Sequence, residues 1–132
     1  FTDVNQAKET AISIIEGGAD VISPMANDAS VGIMEAGEEK GVMAVGCGLG
    51  QESSAPTATK IIIVKDVAIA IKSTFDAYAK GELNPTEVET YGANKGVVYA
   101  TEWFGDVNDE AKTRLQETID KMAKGEVEIS LQ

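Results

Sequence analysis

Three short apolar runs constrain the fold of this chain more than any other feature. Residues 19–23, 42–46 and 60–64 are rich in Val, Ile, Ala or Met, and each is too short for a helix. The third carries Ile61, Ile62 and Ile63 in succession. Apolar runs of this length, closed by Pro or Gly or by a charged residue, suit strands buried on both faces, as in a parallel sheet. Parallel strands need crossover connections, and the intervening segments have the helical period. Val4, Ala7, Ala11 and Ile14 recur on one face over residues 3–16, with Thr2 or Asp3 as the cap and Gly17-Gly18 as the stop. Val31 and Met34, with the small Gly32 and Ala36, mark a second helix over 30–40 that Gly41 ends. Asp66 opens a third, in which Val67, Ile71, Phe75 and Tyr78 line one face as far as Gly81.

The later part of the chain reads less regularly. Residues 87–91 and 97–101 have the character of two strands joined by a turn over 92–96, where Gly and Asn tolerate positive φ. A long amphipathic helix follows, with the stripe Val107, Ala111, Leu115, Ile119 and Met122 and a cap at Asp106 or Asn108. Gly125 ends it before a short terminal strand over 127–131. The order of elements predicts an α/β fold with a mainly parallel sheet flanked by helices. With 132 residues, 43% of them hydrophobic, the chain has material for one core, so a single domain over 1–132 is expected. Its first residues already read as the entry to a helix, so a fragment of a longer protein is expected.

Several functional classes drop out on composition. There are 22 Asp and Glu against 11 Lys and Arg, and the formal charge of −11 repels a phosphate backbone, so no nucleic-acid partner is expected. His is absent and Cys47 is the only cysteine, which removes a Ser-His-Asp triad, a Cys-His pair, an intrachain disulfide and the common zinc-ligand sets. No catalytic residue and no metal ligand is assigned. Acidic pairs such as Glu38-Glu39 and Asp109-Glu110 lie on polar helix faces, where solvation explains them. No run is long and apolar enough to span a bilayer as a helix.

In a parallel sheet ligands sit beyond the carboxyl ends of the strands. Three segments qualify here: residues 25–29, residues 47–59, and Lys65-Asp66. Asn27 and Asp28 precede a helix, where they read as N-caps for the amides from Ser30 onward, and equally as hydrogen-bonding groups for a polar solute. Lys65 closes an apolar strand and reads either as a solvated surface lysine or as a donor to a ligand. Gly46-Cys47-Gly48-Leu49-Gly50 follows a strand, but its glycine spacing is wrong for a dinucleotide fingerprint and a loop comes next, so the glycines read as turn formers. Phe1, Trp103 and Phe104 offer either core packing or a stacking surface for a planar solute.

Beyond these local readings, an ordered set of motifs resembles the basic membrane protein family of substrate-binding lipoproteins. Gly18-Ala19-Asp20-Val21-Ile22 is similar to the family's G-A-D-V-I strand, and Gly32-Ile33-Met34-Glu35-Ala36 to its G-V-hydrophobic-E-A helix. Residues 39–46, EKGVMAVG, resemble its E-K-G-V-Y-A-I-G strand. Ala55-Pro56 and Ile63-Val64-Lys65-Asp66-Val67 fall at the family's A-P and V-V-K-x-V spacing, and Lys124-Gly125-Glu126-Val127 resembles its closing S-G-E-I. Each match is weak alone; in one order and register they are specific.

The resemblance implies one lobe, the C-terminal one, of a type I periplasmic-binding fold in the purine nucleoside receptor-like group, with a solute held between two lobes. It implies a stacking aromatic at Phe1 and a pocket lysine at Lys65. Asn27 and Asp28 stand where many members have paired glycines. Gly48 and Gly50 stand where members carry the two acids of a D-S-D-Q loop, with Gln51 retained. A glycine cannot replace a carboxylate as acceptor for a vicinal diol, so a free purine base or another polar solute stands beside a nucleoside as ligand. The implied partners are that solute and the permease of a bacterial ABC transporter. The implied location is extracytoplasmic, on a lipid anchor outside this chain, with no cofactor and no catalysis. The alternative is a ligand-sensing domain of the same family acting on a transcriptional or signalling partner.

Overall fold

The computed structural model describes residues 2–127, and the chain divides into two compact units, taken separately below. The first comprises residues 1–64 and 100–107, the second residues 65–99 and 108–132. The terminal strand expected over 127–131 lies almost entirely outside the described residues, as does Phe1.

The first unit opens with helix α1, Val4–Glu16. Asp3 caps it, its carboxylate accepting the Gln6 N–H at 2.9 Å, and Gly18 at φ +106° turns the chain out of it. Strand β1, Val21–Ile22, is shorter than the apolar run that predicted it. A turn of 3-10 helix, Asn27–Ala29, leads into α2, Ser30–Lys40, which Gly41 ends in the left-handed conformation. Strand β2, Met43–Gly46, is followed by a second 3-10 turn, Gln51–Ser54, and by β3, Thr59–Lys65. β1 pairs in parallel with β2 through Val21 opposite Met43, and β2 with β3 through Gly46 opposite Ile62. The Thr101 N–H bonds the Ile62 carbonyl and the Phe104 N–H the Lys60 carbonyl, so the chain returns antiparallel along β3. Within this unit the strands run in the order β1-β2-β3, and a further short strand, β4, Val98–Ala100, forms within the stretch expected over 97–101. The mainly parallel α/β sheet is therefore as expected.

Its core explains the small residues. Met34, Ala36, Ala44, Ala55 and Ile62 have no exposed surface, and Ile22 and Ala58 close the cluster. Burying Met34 alone contributes about 1.5–3 kcal/mol. α1 lies directly on α2: a methyl group built on Gly32 would stand 2.1 Å from the Val4 carbonyl oxygen, so only glycine permits the approach.

In the second unit Asp66 caps α3, Val67–Lys80, by accepting the Ala68 and Ile69 N–H groups, and Gly81 at φ +74° ends it. α4, Asp109–Ala123, is capped by Asn108, and Val107 lies just before the helix it was expected to join. The strand expected over 87–91 does not form. Asn84 accepts the N–H and hydroxyl of Thr86, Val88 is 97% exposed, and Tyr91 is turned into a side-chain network. Local side-chain bonds thus stand in place of the expected ladder.

Candidate functional site

β1 and β2 are adjacent and parallel, so the segments that leave their carboxyl ends emerge on one edge of the sheet. After β1 the chain buries Pro24, and the Ala26 N–H donates to the hydroxyl of the fully buried Ser30 at 3.2 Å. That bond pins the base of the loop and pushes its tip outward. Asn27 sits at the tip with φ +48°, the only described residue other than glycine in the left-handed region, and Asp28 follows it. Both are exposed.

The capping role considered for this pair is not realised. The helix cap falls on Ala29, and no side chain bonds the amides there. The left-handed turn over residues 27–29 carries the chain into α2 without side-chain help, leaving the Asn27 and Asp28 polar groups free of that duty. Asn is one of the few side chains that tolerate this conformation, which explains why glycine suits the same place.

After β2 the turn is organised by Gln51. Its Oε1 accepts the Cys47 N–H at 2.8 Å, and its amide nitrogen lies 3.8 Å from Cys47 Sγ. Gly48 is half-buried beside it, with the position of a Cβ 3.6 Å from that amide nitrogen. Gly50 takes φ +92°, and its carbonyl accepts the Ser53 hydroxyl. Asn27, Asp28 and Gly48 thus share one edge. Residues 47–59 were expected to be a long loop over the strand ends; the 3-10 turn within it, Gln51–Ser54, is held by the Gln51 and Ser53 side chains bonding nearby backbone, which apolar periodicity does not reveal.

Lys65 is the last residue of β3 and is exposed; it belongs to the second unit. Trp103 and Phe104 are half-buried in the first unit, with Phe104 bonded beside Lys60 at the amino end of β3. The Phe104 backbone thus lies at the end of β3 opposite its carboxyl edge. Among the described residues no three His, Cys, Asp or Glu side chains gather to hold a metal. No helix among them is long and apolar enough to cross a membrane.

A concavity of about 490 Å³ runs along α1 and the free edge of β1, lined by Ala7, Ala11, Ile14, Val21 and Ile33 among others. Two of its polar side chains are committed elsewhere, Asp3 to the cap of α1 and the Thr10 hydroxyl to the Gln6 carbonyl, which leaves Gln6 and Ser23 as its remaining polar side chains. Its lining is mainly apolar. The stripe of α1 had suggested a covered face, whereas Ile14 is 57% exposed.

Among solved structures, a transcriptional activator of the comK gene from Bacillus halodurans superposes on 92% of this chain with a TM-score of 0.80 and 22% identity. An ABC transporter solute-binding protein from Conexibacter woesei DSM 14684 covers 98% of it with a TM-score of 0.71 and 18% identity. At these identities the likeness speaks to fold alone. The chain spans 43% of the length of each. No curated protein matches it. The model of the Bmp family, ABC transporter substrate-binding protein PnrA-like, matches residues 1–131, so the chain belongs to that family.

Proposed function

We propose that the protein is the solute-binding receptor of a bacterial ABC transporter, that this chain supplies one of its two lobes, and that the solute is a nucleoside, a purine base or a similar small polar molecule. The observation that carries this reading is the strand-end loop of residues 23–29. A buried Ser30 hydroxyl and a left-handed Asn27 present two free polar side chains at the edge where α/β sheets take ligands. Family membership supports it.

In this reading Asn27 donates and accepts hydrogen bonds, Asp28 accepts them, and Gly48 lets the solute approach the main chain. Lys65 is a further donor, assigned from the motif it closes and its place at the end of β3, and Phe1 a stacking surface, assigned from sequence alone. The work done is binding, with delivery to a permease at an extracytoplasmic membrane surface. Isothermal titration of the full-length protein with adenosine, guanosine and hypoxanthine tests it. Saturable heat with at least one is expected; silence with all three sinks the purine reading.

A second reading is favoured by the Bacillus halodurans structure, which is described as a transcriptional activator: a receptor of this fold that senses its solute for a regulatory partner. Deleting the gene separates the two. Loss of labelled-solute uptake marks transport, and altered transcription with intact uptake marks sensing.

A further inference from the structure

β1 stands at one edge of the sheet, paired with β2 on one side and with no described strand on the other. In a parallel ladder successive residues turn their N–H and C=O groups to opposite neighbours. The Asp20 carbonyl accepts the Met43 N–H, so the Val21 N–H and C=O point away from β2 and out of the free edge. The same edge opens into the apolar concavity along α1, where Ile14 is more than half exposed and Val21 is 46% exposed. α2 is the crossover from β1 to β2 and covers both, with Met34 clustered on Ile22 and Ala44. α1 lies against α2 on the β1 side. Helices pack about 8–10 Å apart and strands about 4.8 Å apart, so α1 stands over about one or two strand positions beyond β1. A helix that leads into a parallel strand is also the second half of a crossover, and a crossover begins at another strand. α1 and β1 form such a half.

We propose that a further strand of the same polypeptide, outside residues 1–132, pairs in parallel with β1 and fills the groove along α1. The chain spans 43% of the length of each similar structure, which leaves ample polypeptide to supply it. The assignment rests on the two-lobe part of the reading above and is independent of the solute. The strand's backbone takes up the Val21 N–H and C=O, and one of its faces packs on Ala7, Ala11 and Ile14. Its residues are therefore apolar, as in strands buried on both faces. A second copy is a poorer occupant, since its own β1 is two residues long and cannot fill a groove that runs along a helix of 13. With the strand in place β1 becomes an inner strand. The loop of residues 23–29 then leaves from within the carboxyl edge, where loops on both sides reach a common ligand.

Amide hydrogen exchange of the full-length protein, resolved by residue, tests the pairing without any substitution. The Val21 amide is expected to exchange at least about a hundredfold more slowly than in the urea-unfolded chain, and equally so on dilution of a monomeric sample. Exchange within about tenfold of the unfolded rate overturns the proposal, because the amide is then open to water. Protection that is lost on dilution, together with a fall in mass, gives the edge to a second copy and overturns it as well. The Ile14→Asp variant of the full-length protein supplies a second readout, since it sets a charge in the groove. Beneath a strand that charge is buried, and the melting temperature is expected to fall by several degrees. An unchanged melting temperature overturns the proposal, as the side chain then stays in water. A variant that fails to fold agrees with burial, and the exchange of the parent still decides. Neither measurement involves solute: silence in the titrations leaves the pairing standing, and an open Val21 amide leaves solute binding standing.

Discussion

Asn27 joins two demands at one position. Its φ of +48° costs a side chain about 1–2 kcal/mol in general, least for Asn and nothing for Gly, while its amide is the free polar group at the loop tip. The two demands separate under substitution. Asn27→Gly keeps the turn, and its stability in urea denaturation is expected to stay within about 1 kcal/mol of the parent. Asn27→Val, β-branched and unable to relax there, is expected to lose about 1–2 kcal/mol or more. Both remove the amide, so both are expected to weaken solute binding in titration. A glycine variant that binds as tightly as the parent would leave Asn27 a turn residue only. This residue was legible in the sequence as polar and next to a helix; its conformation was not, because Asn serves as a cap and as a left-handed residue with equal ease, and only the backbone distinguishes them.

At the scale of elements, the apolar runs and helical stripes of the first unit were legible because burial dictates them: β1, β2, β3, α1 and α2 all stand within a few residues of their expected bounds. Residues 87–91 misled because a stretch of strand character forms a strand only where one of its faces is covered, and Val88 is almost wholly exposed. What joins the elements was also hidden. Glu38, read as one of two solvated acids on α2, reaches to the entry of β3, where its carboxylate accepts the Thr57 N–H at 3.0 Å, the Ala58 N–H at 2.8 Å and the Thr57 hydroxyl. The Thr57 hydroxyl bond first, then the Ala58 amide, holds the Glu38 carboxyl below its ordinary value of 4.5. A group whose folded pKa is depressed contributes stability that is complete above the unfolded value and is lost as pH falls through the lower folded one. Denaturation at pH 7 and near pH 3 is therefore expected to show a larger loss for the parent than for Glu38→Gln. Equal losses would mean that the contacts do not favour the ionised form.

At the scale of the whole molecule, the excess of acidic side chains acts on stability, and two effects of opposite sign must be weighed. Screening by salt weakens exposed ion pairs such as Lys8 with Glu35 and Glu39, and Lys40 with Glu16. Pairs of this kind are worth about 0–1 kcal/mol each, so little is lost. Screening also relieves the mutual repulsion left by 22 acidic against 11 basic side chains, and that repulsion opposes the compact state wherever like charges lie within a Debye length, about 10 Å at 0.1 M. The second effect wins because the unpaired excess is as large as the whole complement of bases. Raising sodium chloride from about 20 to about 200 mM, which shortens the Debye length roughly threefold, is expected to raise the melting temperature by a few degrees. Chloride is the proper anion, since sulfate strengthens apolar burial through its own exclusion from protein surface. A melting temperature that falls with chloride would show that the ion pairs outweigh the net charge. The excess acidity would then be a local feature of paired helix faces, with no cost to the fold as a whole.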